Sequence, residues 1–136
     1  MYDTILVPIE LSHEQTGISA VKIAKNLIKD GGKIILVNVV GEIPAYIEAE
    51  LPIDLLKNSI NQASAKLTQI AKDAGIEPNV EIRKGQAATL ILDSAQSHKA
   101  DLIIVASHRP GLSDYFLGST AARIVRHAQC AVLVDR

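Results

Sequence analysis

Residues 118–120, Gly-Ser-Thr, combine groups that could bind an anion. They directly precede residues 121–127, which have helical character, and the first backbone N–H groups of a helix have no partner within it. These N–H groups, the positive end of the helix dipole and the hydroxyls of Ser119 and Thr120 could together hold a phosphate. Serine and threonine are also preferred helix N-caps, so a purely structural role for Ser119 or Thr120 stays open.

A second candidate segment follows residues 101–105, Asp-Leu-Ile-Ile-Val, the most apolar run in the second half of the chain. If this run is a buried strand, Ala106 and Ser107 lie at its carboxyl end. Their backbone should then point into the same crevice as Gly118, so that one anion is held from two sides.

Arg109 and His108 extend this segment with charged or polar donors. The planar guanidinium of Arg109 matches the geometry of phosphate oxygens, and His108 could add a further donor. The alternative is that Arg109 is a solvated loop charge paired with Asp114, and that His108 is an ordinary surface imidazole.

The elements that would position these groups are five runs rich in β-branched residues, separated by segments of helical period. Most of the runs are continuously apolar, which is typical of parallel strands buried on both faces. The predicted strands are residues 4–8, 33–40, 80–83, 101–106 and 131–134. The first predicted helix starts near Ser12 or Thr16 and stops at residues 30–32. The second has an apolar stripe from Leu56 to Ala74 and ends at Gly75 as a left-handed C-cap. Two more helices are predicted over residues 88–97 and 119–127.

This order predicts an α/β fold, a doubly wound five-stranded parallel sheet in the order 3-2-1-4-5 with helices on both faces. It is a Rossmann-like nucleotide-binding α/β layer, expected to form a single domain over residues 1–136. Ligands in such folds bind beyond the carboxyl ends of the strands where the strand order reverses, so the segments after strands one and four should form the site. Residues 41–52, after strand two, are predicted to be a mobile flap or a partner surface.

The composition excludes several classes of function. With 48% apolar and 21% charged residues, the chain of 136 residues is expected to fold around one core. A net charge of -1 with one Phe and three Tyr argues against nucleic-acid binding. No apolar run is long enough to span a membrane, and the lack of a leader together with a single cysteine, Cys130, predicts a cytoplasmic protein with a packed thiol.

Catalytic motifs are missing from the sequence. It contains neither a P-loop nor a dinucleotide-binding fingerprint, and its histidines at 13, 98, 108 and 127 lack the spacing of metal ligands. We therefore predict no catalytic residues and no protein-bound metal site, and at most a slow hydrolase.

The chain resembles the universal stress protein family over essentially its whole length. The resemblance rests on residues 7–10 (Val-Pro-Ile-Glu), Gly85, residues 100–105 (Ala-Asp-Leu-Ile-Ile-Val), residues 117–119 (Leu-Gly-Ser) and residues 131–134 (Ala-Val-Leu-Val). It implies a dimeric, ATP-binding protein of stress response or signalling. A non-nucleotide-binding dimeric interaction protein of the same fold is the alternative.

The ATP loop that the resemblance implies is altered in this chain. In ATP-binding members it resembles Gly, two residues, Gly, nine residues, then Gly-Ser or Gly-Thr. Here Ala106 and Arg109 stand at the first two glycine positions, and eight residues separate Arg109 from Gly118. Pro110 also restricts Arg109. Ser-His-Arg-Pro followed by Leu-Gly-Ser is similar to a subgroup whose members still bind ATP.

The resemblance implies further contacts with ATP and with a second copy of the chain. Glu10 occupies the position of an acidic residue, usually aspartate, near the nucleoside or a metal, and Pro8 and Ile9 precede it at the end of strand one. Val39 would contact adenine through its backbone. Whether Mg²⁺ accompanies the nucleotide stays open. A short apolar edge strand invites pairing, and the resemblance implies a homodimer through Ala131, Val132, Leu133 and Val134.

Overall fold

The computed structural model describes residues 1–41, 43–107 and 118–136. Alternating strands and helices follow one another along these residues. The strands are β1 (Tyr2–Pro8), β2 (Ile28–Val40), β3 (Asn79–Lys84), β4 (Leu102–Ala106) and β5 (Ala131–Asp135). The helices are α1 (Glu14–Leu27), α2 (Ala45–Glu48), α3 (Ile53–Asp73), α4 (Ala87–Ser97) and α5 (Ser119–His127), with a 3₁₀ turn at Leu11–His13.

The strands form one parallel sheet in the order β3-β2-β1-β4-β5, which confirms the predicted topology. Successive strand residues point to opposite faces, so Ile5 and Val7 belong to one core and Leu6 to the other. Residues of α1 and α3 cover the first core, and residues of α4 and α5 cover the second. Burial on both faces explains the continuously apolar strand sequences.

The end of α1 differs from the sequence-based expectation. Residues 30–32, Asp-Gly-Gly, were expected to stop the helix, but α1 already ends at Leu27 and these residues lie in β2. The backbone of Ile28 is extended, and Ile28 pairs with Tyr2 before the ladder shifts its register. Gly31 adopts φ 79° in this irregular stretch, a conformation that favours glycine. The strand pairing of Ile28 therefore ends the helix before the glycines are reached.

The end of α3 agrees with the sequence-based expectation. Gly75 has φ 75°, its N–H donates to the carbonyl of Lys72, and the N–H of Ile76 donates to the carbonyl of Ala71 over 3.0 Å. This left-handed C-cap confirms the role predicted for Gly75. Residues 41–52, predicted as a flap or partner surface, include the short helix α2.

Cys130 is half-buried and packs against the core beneath α4 and α5. Burial, and to a smaller extent the negative charge of Asp101, raises the pKa of the Cys130 thiol above its ordinary value. The thiolate is therefore disfavoured, as expected for a packed cysteine. None of the helices within the described ranges has the length and apolar character needed to cross a membrane.

Candidate functional site

A cleft opens between β1 and β4, where the strand order reverses. The ladder between these strands pairs Ile5 with Leu102 and Leu6 with Ile103, and ends there although β4 continues to Ala106. The Ile9 N–H donates to the carbonyl of Val37 in β2, so by alternation the nitrogen of Pro8 faces β4. Proline has no N–H to donate. Pro8 therefore offers β4 no donor at the point where the ladder ends.

The cleft brings together most of the residues that the sequence predicted for the site. Those that line it are Pro8, Ile9, Glu10, Val39, Ala106, Ser107, Gly118 and Thr120. Ser119 is exposed beside the cleft at the start of α5. His108 and Arg109, and the alternative partner Asp114, lie outside the described residues.

The start of α5 excludes the capping interpretation of Ser119 and Thr120. Gly118 is the N-cap, and Ser119 and Thr120 are the first two helical residues. The first helical hydrogen bond runs from the N–H of Ala122 to the carbonyl of Gly118 over 2.8 Å. The N–H groups of Ser119, Thr120 and Ala121 thus precede the first helical bond, and no side chain of the described residues caps them.

Gly118 leaves open space at this helix start. A Cβ atom built on Gly118 would have no described atom within 4 Å. The backbone of Gly118, with φ −54° and ψ 151°, is also accessible to any residue. Neither backbone conformation nor packing among the described residues therefore requires glycine at this position, and the small residue keeps the helix N-terminus accessible from the cleft.

Two residues that the sequence analysis missed fix the connection between β1 and α1. The buried Asn38 donates from Nδ2 to the carbonyl oxygen of Ile9 over 2.8 Å, and Asn38 lines the cleft. Gly17 allows α1 to approach, because a Cβ there would lie 2.7 Å from the Ile9 side chain. A polar residue inside the apolar run of β2 was the available signal for Asn38.

Glu10 and two α1-side residues form the polar rim of the cleft next to β1. The Glu10 carboxylate lies 3.9 Å from Nε2 of His13, and both side chains are about half exposed. Thr16 donates its hydroxyl to the carbonyl of His13 over 2.7 Å. His13 and Thr16 both line the cleft. His13 belongs to the segment after strand one that was expected at the site, whereas Thr16 was not predicted there.

The backbone of Val39 faces the cleft above the end of β1. The Val37 carbonyl accepts from Ile9 on the β1 side, and the Val40 carbonyl accepts from Gly85 on the β3 side. Because strand residues alternate, the N–H and C=O of Val39 point towards the β1 side, past the last residue that β1 pairs there. The Val39 side chain packs against the core under α4 and α5, so both roles considered for Val39 are compatible.

The β4 side of the cleft is tied to the last strand. The N–H of Ser107 donates to the carbonyl of Asp135 over 2.9 Å, which extends the β4–β5 ladder. The Asp135 carboxylate in turn accepts a hydrogen bond from the Ser19 hydroxyl of α1, also over 2.9 Å. The lining residue Ser107 is therefore held by its contact with β5.

The described lining residues include no lysine or arginine, so the N-terminus of α5 supplies the positive potential on this part of the cleft. A cluster of three or more His, Cys, Asp or Glu side chains suited to a metal ion does not occur within residues 1–41, 43–107 and 118–136.

Comparison with known proteins identifies the family. Residues 1–136 match the universal stress protein family. The chain belongs to this family. It is 33% identical over 140 residues to universal stress protein MJ0531 of Methanocaldococcus jannaschii, covering 98% of this chain and 82% of that protein. It is 27% identical over 142 residues to universal stress protein G of Escherichia coli O157:H7, covering all of both chains.

Solved structures, including two of universal stress proteins, share the fold of this family member. UspA from Lactobacillus plantarum superposes with a TM-score of 0.76 at 26% identity, covering 99% of this chain and 98% of that one. The hypothetical protein MJ0577 superposes with a TM-score of 0.81 at 27% identity, covering 99% and 96%. A universal stress protein crystallised in complex with cAMP gives a TM-score of 0.70 at 23% identity, covering 99% and 97%.

Proposed function

We propose that this universal stress protein binds ATP in the cleft between β1 and β4 and acts as a dimeric cytoplasmic protein of stress response or signalling. The observation that carries the proposal is the position of the α5 N-terminus. Its first N–H groups border the same cleft as the ends of β1 and β2. A triphosphate and a nucleoside could therefore be held together by groups that the fold already brings to one edge.

The start of α5 fits a phosphate chain chemically. The N–H groups of Ser119, Thr120 and Ala121 are available donors, and Thr120 lines the cleft. Helix N-termini bind phosphate because these donors and the helix dipole act on the same anion. The open space at Gly118 admits an anion close to the backbone.

The opposite side of the cleft fits a nucleoside. The Val39 backbone offers one donor and one acceptor beyond the end of β1, which suits the hydrogen-bonding edge of a base. The Glu10 carboxylate would accept from sugar hydroxyls, or bind Mg²⁺ together with phosphate oxygens, and Mg²⁺ would neutralise phosphate charge. The neighbour crystallised with cAMP supports the proposal, because that protein of the same fold holds an adenine nucleotide.

The dimer is proposed through β5. This strand pairs with β4 on one side and forms an edge of the sheet, and its residues from Val132 to Asp135 are only partly buried. A partly apolar edge strand is a template for pairing with a second chain.

Replacement of Gly118 by valine tests the ATP site. The Cβ of Gly118→Val would meet no described atom within 4 Å, so the fold should persist while the added methyl groups block the α5 amides. We expect calorimetric titration with ATP to show a loss of affinity of at least about 100-fold, with an unchanged far-UV circular dichroism spectrum. Gly41→Val is the matched control, because a Cβ at Gly41 also meets no described atom within 4 Å and Gly41 does not line the cleft.

Unchanged ATP affinity in Gly118→Val would refute this placement of the phosphates. A wild-type protein that neither co-purifies with a nucleotide in native mass spectrometry nor binds millimolar ATP would instead support the second candidate, a dimeric interaction protein without a nucleotide. Ala106, which stands where the ATP-binding pattern has glycine, is the feature that favours this second candidate.

A further inference from the structure

The exposed apolar side chains of the protein are concentrated around α2 and the start of α3. Among the described residues, seven large hydrophobic side chains are exposed, and five of them lie between positions 46 and 60. Their exposed fractions are 73% for Tyr46, 38% for Ile47, 70% for Ile53, 52% for Leu55 and 44% for Ile60. Scattered exposed hydrophobic residues are normal, but five of them in so short a segment single it out as a candidate interaction surface.

The exposure at the start of α3 arises because α3 is longer than β3, the strand beside which it packs. With 21 residues, α3 extends about 31 Å, whereas the six residues of β3 span about 20 Å. Its buried residues begin only at Ala63. Since α3 runs back from the carboxyl edge of the sheet, its first residues project beyond that edge. We call residues 45–60 the overhang.

The overhang continues the apolar stripe that packs α3 on the sheet. Ile53, Leu56 and Ile60 are spaced by three and four residues, so they lie on the same helix face as the buried Ala63 and Leu67. The first three are exposed or only half-buried, whereas Ala63 and Leu67 are covered by the sheet. The overhang thus presents an apolar helix face that the described residues leave uncovered.

The charges around this face indicate the charge that a partner should carry. The overhang contains three acidic residues, Glu48, Glu50 and Asp54, and one basic residue, Lys57. Glu48 forms an ion pair with Lys84, which ties α2 to the end of β3. Glu50, Asp54 and Lys57 are exposed beside the apolar residues. The surface is therefore acidic on balance, so a basic partner would complement it better than a second copy of the overhang.

We propose that the overhang is a docking surface for a basic amphipathic helix of a partner protein. Such a helix would place its apolar face against Ile53, Leu56 and Ile60 and its lysines or arginines near Glu50 and Asp54. Apolar anchors at helical spacing, flanked by charge of one sign, are the usual basis of this mode of recognition. The overhang lies on the β3 side of the sheet, so docking there leaves the β5 edge free.

A synthetic helical peptide can test the proposal in place of a natural partner. The probe is a fluorescent amphipathic peptide of about 18 residues built from leucine and lysine, with a leucine–glutamate peptide of identical pattern as its charge control. We expect fluorescence anisotropy to show at least tenfold tighter binding of the leucine–lysine peptide. Hydrogen-exchange mass spectrometry should show that this peptide protects residues 45–60.

Variants of the overhang distinguish binding at this surface from nonspecific attraction of the basic peptide to acidic side chains. Ile53→Asn with Ile60→Asn should weaken binding of the leucine–lysine peptide about tenfold or more. Val125→Asn should leave it unchanged, because Val125 is similarly exposed, at 47%, but lies on α5. Glu50→Lys with Asp54→Lys should reverse the preference between the two peptides. Since all four overhang side chains are exposed, circular dichroism should show that these variants fold.

Three results would overturn the proposal. The first is equal binding of the two peptides, and the second is equal binding by the Ile53/Ile60 and Val125 variants. The third is a wild-type oligomer larger than a dimer that Ile53→Asn with Ile60→Asn dissociates, because a second copy would then cover the overhang.

Discussion

Thr4 and Asp101 hold the starts of β1 and β4 together by hydrogen bonds in both directions. The Thr4 N–H donates to Oδ1 of Asp101 over 2.9 Å, and the Asp101 N–H donates to the Thr4 carbonyl over 3.0 Å. The second carboxylate oxygen of Asp101 accepts from the N–H of Asp3, again over 2.9 Å. Residues 97 positions apart are thereby joined at the edge of the sheet opposite to the cleft.

Replacement of Asp101 by asparagine should destabilise the fold by about 1.5 kcal/mol. An asparagine amide presents its own NH₂ group to one of the two backbone N–H donors, so one hydrogen bond is lost. Urea unfolding at about pH 7 measures the change. Asp93→Asn is the control, because Asp93 is an exposed carboxylate on α4, and it should change the free energy of unfolding little.

The contribution of Asp101 should depend on pH. Burial acts to raise the pKa of Asp101, but the N–H groups of Asp3 and Thr4 and the ammonium of Lys29 outweigh it, so the pKa lies below the ordinary value of 3.8. A lowered folded-state pKa stabilises the fold above the ordinary value, and this stabilisation is lost as the pH falls through the folded-state pKa. The stability difference between wild type and Asp101→Asn should therefore shrink below about pH 4. A difference that stays constant to about pH 2 would contradict the argument.

Lys99→Gly should stabilise the protein. Lys99 follows α4 with φ 54°, and the N–H of Ala100 donates to the Ala95 carbonyl over 2.8 Å in the arrangement of a left-handed C-cap. This conformation strains a residue with a Cβ, so glycine should raise the free energy of unfolding by about 0.5–1 kcal/mol. Lys72→Gly, in the last turn of α3, should have the opposite effect because glycine is unfavourable within a helix. An unchanged or lower Tm for Lys99→Gly would contradict this account.

Asn38→Leu should affect both stability and the cleft. It removes the donor to the buried end of β1 and leaves the Ile9 carbonyl without this partner, at a cost of about 1–3 kcal/mol. Because Ile9 precedes Glu10, the loss should also weaken ATP binding. Asn38→Asp keeps the size of the side chain but removes the donor as well, so both variants should lose stability in urea unfolding. Stability retained by both would show that the hydrogen bond contributes nothing measurable.

Val132→Pro should separate the proposed dimer into monomers. The Asp135 carbonyl accepts from Ser107 of the β4 connection, so by alternation the Leu133 backbone also faces β4 and the Val132 backbone faces outward. Proline at 132 thus removes an outward donor and leaves the β4 ladder in place. Light scattering should report a monomer, and far-UV circular dichroism should show that the fold persists.

The neighbouring position is the control for this prediction. Leu133→Pro removes a donor that faces β4, so it should lower the Tm strongly, whatever the oligomeric state. A Val132→Pro protein that remains a stable dimer would exclude pairing through the outer edge of β5.

The sheet was predictable because its determinants are local and repeated. Apolar runs such as residues 101–105 can be buried only between two helical layers, and their alternation with helices fixes parallel pairing. The C-cap at Gly75 was predictable because few residues adopt positive φ without strain. The early end of α1 was not predictable, because Ile28 pairs with Tyr2, a residue 26 positions earlier, and this pairing does not depend on the Asp-Gly-Gly that follows.

The site was predictable in outline for a similar reason. The ends of parallel strands meet at one edge, so Glu10 after β1 and Ala106 at the end of β4 could be placed at the site from the strand order. Gly118 followed from its position before a helix, and Val39 from the family resemblance. Thr120 could not be assigned to helix or cap from its residue type, because threonine suits both. Asn38 and Gly17 escaped notice because their roles, a hydrogen bond and a close approach to Ile9, exist only in the packed molecule.

Where β1 leaves β4, Pro8 presents a ring nitrogen that carries no hydrogen, so this end of the ladder lacks one donor whatever side chains surround the cleft. Replacement of a lining side chain, such as that of Ala106, leaves this backbone feature unchanged. The strand pairing at this edge and the chemistry of the lining are therefore set by different residues.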